Sequence, residues 1–172
     1  MENLELSRED LEQINQLTRD RVGINTLERY TGSSVEEFQP YILLANFKRY
    51  VDVFAERFGQ PIRQGSAMRA CHSNEGKMTI IDYGVGSPVA ALIIELLSFI
   101  KPKAVLMLGM CGGLRDTYEV GDFFNPVAAI RGEGTSDAYM PAQCPSLASR
   151  PLIWNARLFS PSSLHAMCQW AP

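Results

Sequence analysis

Two short apolar runs in the middle of the chain, Met78 to Tyr83 and Ala104 to Leu108, each end in a cluster of glycines. The first reads KMTIIDYG and passes through Val85 and Gly86 into SPVAALIIELLSFI; the second reads KAVLMLG and continues as MCGGL. No other feature limits the fold as much. Short apolar runs bounded by turn residues are strands, and a run apolar at every position belongs to a strand covered on both faces. The segment between them is a helix, with Ser87 expected as N-cap, Pro88 as first helical residue, and an apolar surface nearly all round that requires packing on a sheet. Strand, helix and strand with short connections predict an α/β domain: a central mixed, largely parallel sheet flanked by helices.

The same reading extends upstream. Ser7 and Asp10 form an expected capping box that opens a helix through about Arg21, with Gly23 as its stop. Its apolar face, Leu11, Ile14 and Leu17, is thin, so the helix is expected to be peripheral. Asn25 to Pro40 reads as a loop rich in Thr, Gly and Ser. In YILLANFKRYVDVFAERFG, a strand over Tyr41 to Leu44 is followed by a helix capped by Asn46. Phe47, Tyr50, Val51, Phe54 and Phe58 recur there at helical spacing, and Gly59 ends it. GDFFNPVAAIRGEG supplies one more expected strand, around Phe123 to Arg131.

Composition removes several function classes. Sixteen basic against nineteen acidic residues, a net charge of −3 and no basic run leave no electrostatic footprint for a nucleic acid or an anionic membrane. The N-terminal MENLELSREDLEQ lacks the apolar core of a secretory signal, and the run Val89 to Ile100 is broken by Glu95 and too short for a bilayer. Cys71, Cys111, Cys144 and Cys168 lie far apart without CxxC or CxxH pairs, which argues against a zinc site. The chain reads as a reduced, cytoplasmic protein that signals no metal or organic cofactor.

In parallel sheets, ligands bind beyond the carboxyl ends of the strands. Gly84 and Gly86 fall at one such end, and Gly109, Gly112 and Gly113 at the next. Missing side chains let the backbone turn sharply and let a ligand lie against N–H groups, including those opening the helix at Pro88. Gly-x-Gly-x-Pro is not the dinucleotide fingerprint, and one glycine-rich loop after a strand is an ordinary tight turn. Two on successive strands favour a small-molecule site.

YGVGSPVAALIIELL, KAVLMLGMCGGL and VGDFFNPVAAIRGEGTSDAYMP, in that order, resemble the nucleoside phosphorylase and nucleosidase superfamily and, within it, the AMP nucleosidase family. The resemblance divides the chain into an N-terminal extension, residues 1–28, a superfamily-like domain, 29–145, and an unmatched, disordered tail, 146–172. It implies a mixed sheet ringed by helices and cleavage of the N-glycosidic bond of a purine nucleotide or nucleoside, with water or phosphate taking C1′ of the ribose. It also implies a homo-oligomer, a dimer or a hexamer.

Within the resemblance, the departures remove charge. Purine and uridine phosphorylases carry Pro-Gly-Asp-Pro-x-Arg at the first strand end, where glycine backbone and arginine hold phosphate; here Asn46 stands for the glycine and Tyr50 for the arginine. They also carry an arginine and a hydroxyl residue where this chain has Met107 and Met110. Without an arginine fork a phosphate dianion loses its bidentate charge-assisted bonds, so water is the expected acceptor. Lys48 and Arg49, one register away, keep phosphorolysis open.

The resemblance further implies Gly109 and Gly112 lining the base and ribose pocket, with Met110 and Cys111 in the same loop. Gly84, Val85 and Gly86 are expected at the ribose end. Arg131, Glu133 and Thr135 are expected at a strand end, Arg131 meeting a nucleotide phosphate or stacking on the base, or pairing internally with Glu133 or Asp137. Cys111 reads as a small buried filler, and His72 as a loop residue before a strand. The general-acid aspartate and ribose-binding glutamate of the family find no counterpart, because no acidic residue follows Asp137. From Ala138 onward the chain has no Asp, Glu or Lys, yet holds both tryptophans and half of the ten prolines. That break is read as a truncated member ending in a shifted reading frame, or as a natural short form with a proline-rich disordered tail.

Overall fold

The computed structural model describes residues 7–141 and 143–147. Helix α1 (Arg8–Thr31) opens on the expected capping box: the Ser7 hydroxyl accepts from the Asp10 N–H at 3.1 Å, and the Asp10 carboxylate accepts from the Ser7 N–H at 3.0 Å. It does not stop at Gly23. That glycine is buried against Phe99, and a Cβ on it would lie 2.2 Å from the ring. Its missing side chain is a packing requirement, and the helix runs on to Gly32, whose φ of 71° ends it in the left-handed conformation. Only the first half is peripheral. Leu11, Ile14 and Leu17 are exposed, whereas Leu27 is fully buried.

Strand β1 (Tyr41–Ala45) leads into α2 (Lys48–Phe58), which ends at Gly59 as the sequence predicts. Asn46 is not the cap. Phe47 holds that position and makes no side-chain capping bond. Next come β2 (Ile62–Gln64) and β3 (Arg69–Ser73), then β4 (Met78–Asp82), α3 (Ser87–Ser98) and β5 (Ala104–Leu108). The five strands form one sheet in the order β2-β3-β4-β1-β5. β1 lies parallel to β4 and β5, while β3 runs antiparallel to β4 and to β2, so the sheet is mixed. In α3 the cap is Gly86, and Ser87 and Pro88 are its first two residues, one position later than expected for the proline.

The uniformly apolar strands are covered on both faces. Ile42, Leu44 and Ile81 pack with Leu27, Ile93 and Leu97 on the side of α1 and α3. Leu43, Ala45, Ile80 and Leu108 pack with Val51 and Phe54 of α2 on the other. Each large side chain buried this way contributes about 1.5–3 kcal/mol.

His72 lies on β3, not in a loop. Its Nδ1 meets the Thr79 hydroxyl at 2.9 Å and its Nε2 the Ser33 hydroxyl at 2.8 Å, which makes it a half-buried, hydrogen-bonded strand residue. The strand expected over Phe123 to Arg131 shrinks to β6 (Ala128–Ala129), paired antiparallel with β7 (Ser146–Leu147). Pro126 interrupts the run and has no N–H to pair. Ser146 and Leu147, assigned from the sequence to the tail, thus belong to a strand pair. The remainder of that expected tail, from residue 148 on, lies outside the described residues. No described helix is long and apolar enough to cross a membrane.

Candidate active site

The register aligns Ala45 with Asp82 on one side and with Leu108 on the other, so β1, β4 and β5 end at one level. Beyond this line the chain turns into α3 through Gly84 and Gly86, at φ 84° and 110°. Only glycine takes such angles without strain, which accounts for both residues. The turn is pinned by the buried Asp82, whose carboxylate accepts from the Gly84 N–H at 3.2 Å, and by the Tyr83 N–H bonded to the Ala45 carbonyl at 3.0 Å. Val85 projects outward, 80% exposed, above a helix start whose first N–H groups have no intrahelical acceptors.

Asn46, Tyr83, Met107 and Gly109 meet at the strand ends on the face shared with Ile42 and Leu44. The Tyr83 hydroxyl donates to the Met107 sulfur at 3.5 Å. A Cβ on Gly109 would lie 3.8 Å from the Met107 methyl and 3.9 Å from Asn46 Oδ1. Gly109 does not adopt a left-handed angle, so what its bare backbone contributes is space. Among the described residues, Asn46 Oδ1 is the buried side-chain polar atom without a hydrogen-bond partner.

Arg131, Glu133 and Thr135 come together beside this corner, but not as free ligands. The Arg131 guanidinium is nearly buried and donates to the Ser136 hydroxyl, the Asp137 carboxylate and the carbonyls of Met140, Pro141 and Cys144. Those five acceptors use its five N–H bonds, so Arg131 closes its own loop. The expected internal pairing is with Asp137; a phosphate finds no donor left, and the buried guanidinium offers no open face for stacking on a base.

Glu133 accepts from the Thr135 and Ser136 N–H groups at 2.9 and 3.0 Å. The Ser87 hydroxyl and then the Ser136 N–H hold its carboxyl down at about 2, so it stays ionised and cannot donate a proton near neutrality. Thr135 meets Ser87 hydroxyl to hydroxyl at 3.1 Å, tying this segment to the first turn of α3. Between the two runs a largely apolar cleft of about 310 Å³, lined by Ala90, Ala91 and Ile94 of α3 and by Tyr139 and Met140 opposite. The Tyr139 hydroxyl donates to Glu95 across it.

Cys111 is exposed and not a buried filler; with Gly112 it lines a different cavity of about 460 Å³, beside Tyr118, Phe123 and Phe124. Met110 is 64% exposed and lines neither. The expected residues therefore fall into three neighbouring groups: the strand tips, the cleft on α3 and the loop cavity. Sequence reasoning missed Tyr83 and Ser87 as site residues. Tyr83 was legible as the polar tip that ends an apolar strand, and Ser87 as a hydroxyl in the first turn of a helix.

The sequence profile of the phosphorylase superfamily matches residues 31–169. The chain belongs to the phosphorylase superfamily. AMP nucleosidase of Escherichia coli (strain K12) is 29% identical over 155 residues, which cover 69% of this chain and 32% of that protein. Guanosine phosphorylase of Halorubrum lacusprofundi is 37% identical over 70 residues, covering 41% of this chain and 29% of that protein. Among solved structures, AMP nucleosidase from Bacteroides thetaiotaomicron VPI-5482 superimposes with a TM-score of 0.74 at 43% identity, over 81% of this chain and 60% of that one. Uridine phosphorylase from Vibrio fischeri ES114 shares the fold, with a TM-score of 0.65 at 21% identity over 78% of this chain and 58% of that one. The chain thus spans about a third of its Escherichia coli relative. The superfamily resemblance and the mixed sheet flanked by helices, both read from the motifs, are what the comparisons and the structure show.

Proposed function

We propose that the strand tips take a purine nucleotide or nucleoside and that the chain descends from an enzyme hydrolysing AMP to adenine and ribose 5-phosphate. The observation that carries this reading is the Tyr83–Met107 contact. Where the superfamily resemblance implies an arginine for phosphate, the structure has a thioether accepting from a phenol at 3.5 Å. Tyr50, in the other arginine position, packs partly buried against the core under α2. An uncharged corner binds a phosphate dianion poorly and leaves water as the acceptor. The 43% identity to an AMP nucleosidase supports the same choice.

The reaction stretches C1′–N9 until the ribose carries oxocarbenium character, and the purine departs protonated. Gly84, Val85, Gly86 and Gly109 offer the sugar bare backbone, and Ser87 with Thr135 offers it hydroxyls at the adjoining cleft. A general acid at the base is worth about 10²–10⁴-fold. Glu133 is held ionised, and no acidic residue follows Asp137, so these residues do not supply that proton. The expected behaviour of the 172-residue chain is nucleoside binding with little turnover.

Incubation with AMP or adenosine, with and without inorganic phosphate, followed by assay of free adenine tests this. Phosphate-independent release, however slow, supports hydrolysis. Release only with phosphate moves the assignment to a purine nucleoside phosphorylase, a reading favoured by exposed Lys48 and Arg49 at the start of α2. Binding without any release identifies a noncatalytic nucleoside-binding relative, and absence of binding rejects the site.

A further inference from the structure

Asn46 combines two properties that rarely coincide. Its amide oxygen is sealed from solvent, and it accepts no hydrogen bond. Burying an acceptor unpaired costs free energy, and native proteins seldom leave one so. Capping does not explain it, because α2 is capped at Phe47. The oxygen faces the bare side of Gly109, 3.9 Å from where a Cβ would stand, at the level where β1, β4 and β5 end.

We propose that Asn46 Oδ1 is an acceptor reserved for an O–H group delivered by the reaction's own components: a ribose hydroxyl or the attacking water. The inference rests on the nucleoside-cleaving reading above. A carbonyl oxygen can only accept, and its partial negative charge favours a hydroxyl or water over a phosphate dianion. The same atom therefore adds to the exclusion of phosphate from this corner. Access requires a neighbour to move. Met107, unbranched and with its methyl against the same face of Gly109, is the flexible side chain placed to do so.

If the donor is water, its oxygen bonds C1′ as the C1′–N9 electron pair passes to the purine. One hydrogen remains on the new C1′ hydroxyl, and the other proton ends on the departing base, so no further reactant is required. Asn46 orients that water and is not its base.

The test uses the 172-residue chain with Asn46→Ala and Gly109→Ala. The second places a methyl between the oxygen and its ligand, without a contact closer than 3.8 Å and without a left-handed φ. Calorimetry with AMP and adenosine, and with their 2′-deoxy and 3′-deoxy forms, is run beside adenine release in phosphate-free buffer. If the donor is a sugar hydroxyl, both variants weaken ribonucleoside binding about tenfold, and the analogue lacking that hydroxyl binds all three proteins alike. If the donor is water, affinities hold and adenine release falls about tenfold at unchanged KM. Melting temperature stays level or rises in Asn46→Ala, because an unpaired buried oxygen has been removed. Should that variant fail to fold, Gly109→Ala decides alone. Wild-type binding with variants equal in every affinity and rate overturns the inference and leaves the functional reading standing. A wild-type chain that binds none of these ligands ends both.

Discussion

His72 shows what one side chain can be asked to do at the end of the sheet opposite the site. The Thr79 hydroxyl accepts from the Gln39 N–H at 2.9 Å and keeps its own hydrogen for His72 Nδ1, an arrangement in which Nε2–H donates to Ser33. That pattern fits the neutral ring. Burial pushes its pKa below the usual 6.5; nearby Glu37 pulls upward and Arg63 downward. Below 6.5 the unfolded chain takes up a proton that the folded ring refuses, so the contribution of His72 is complete above 6.5 and is lost as pH falls through and beneath it. Urea unfolding at about pH 7.5 and about pH 5.5 is expected to give lower stability at the acid value, with a smaller difference in His72→Gln. An unchanged difference in the variant assigns the pH dependence elsewhere. Arg131 teaches the complementary lesson about charge. A lone arginine beside a strand end reads as an anion ligand, yet here it is spent on five acceptors of its own segment.

Between elements, the tightest junction joins the end of α1 to the β2–β3 hairpin. Gly32 and Gly65 meet backbone to backbone: a Cβ on Gly65 would lie 2.0 Å from the Tyr30 carbonyl oxygen, and one on Gly32 would lie 2.6 Å from the Gln64 carbonyl oxygen. Backbone cannot swing aside as a side chain can. Gly65→Ala is therefore expected to cost at least the ~1–3 kcal/mol of ordinary overpacking, read as a lower denaturation midpoint. Gly59→Ala, with nothing within 4 Å, is the control that pays only for its φ of 59°. This junction marks the limit of what the sequence alone discloses. Strands β1, β4 and β5 and helix α3 were legible because apolar runs and bounding glycines are local signals. The hairpin was not: IRQ and RACHS carry no clear alternation, and they become strands by pairing with each other, by the pairing of β3 with β4, and by packing under α2. Gly23, Gly32 and Gly65 each need a partner far along the chain before their role is visible. At the candidate site the glycine tips could be read, whereas Asn46 looked like a cap until the helix was seen to start without it.

At the scale of the whole molecule, the sheet among the described residues has two edges, β2 and β5, and β5 is the apolar one. Among the described residues it pairs with β1 on one side only, and Ala104 to Met107 are half-buried where the corresponding residues of β1 and β4 are largely buried. A parallel strand with apolar side chains on both faces and one unpaired edge is a template for another strand. A second apolar surface lies in the segment after it, where Leu114, Val120 and Ile130 are almost wholly exposed. Both favour association, but they differ in mechanism: the edge acts through backbone hydrogen bonds, the segment through apolar contact. The 172-residue chain is expected to self-associate as its concentration rises, read by sedimentation velocity. Replacing Leu114, Val120 and Ile130 together with lysine removes the apolar contribution without touching β5. If association persists in that variant, the open edge drives it; if it disappears, the edge is already protected by neighbouring chain. A wild-type chain that stays monomeric at all concentrations and melts in one sharp transition contradicts both routes, and requires β5 to be covered.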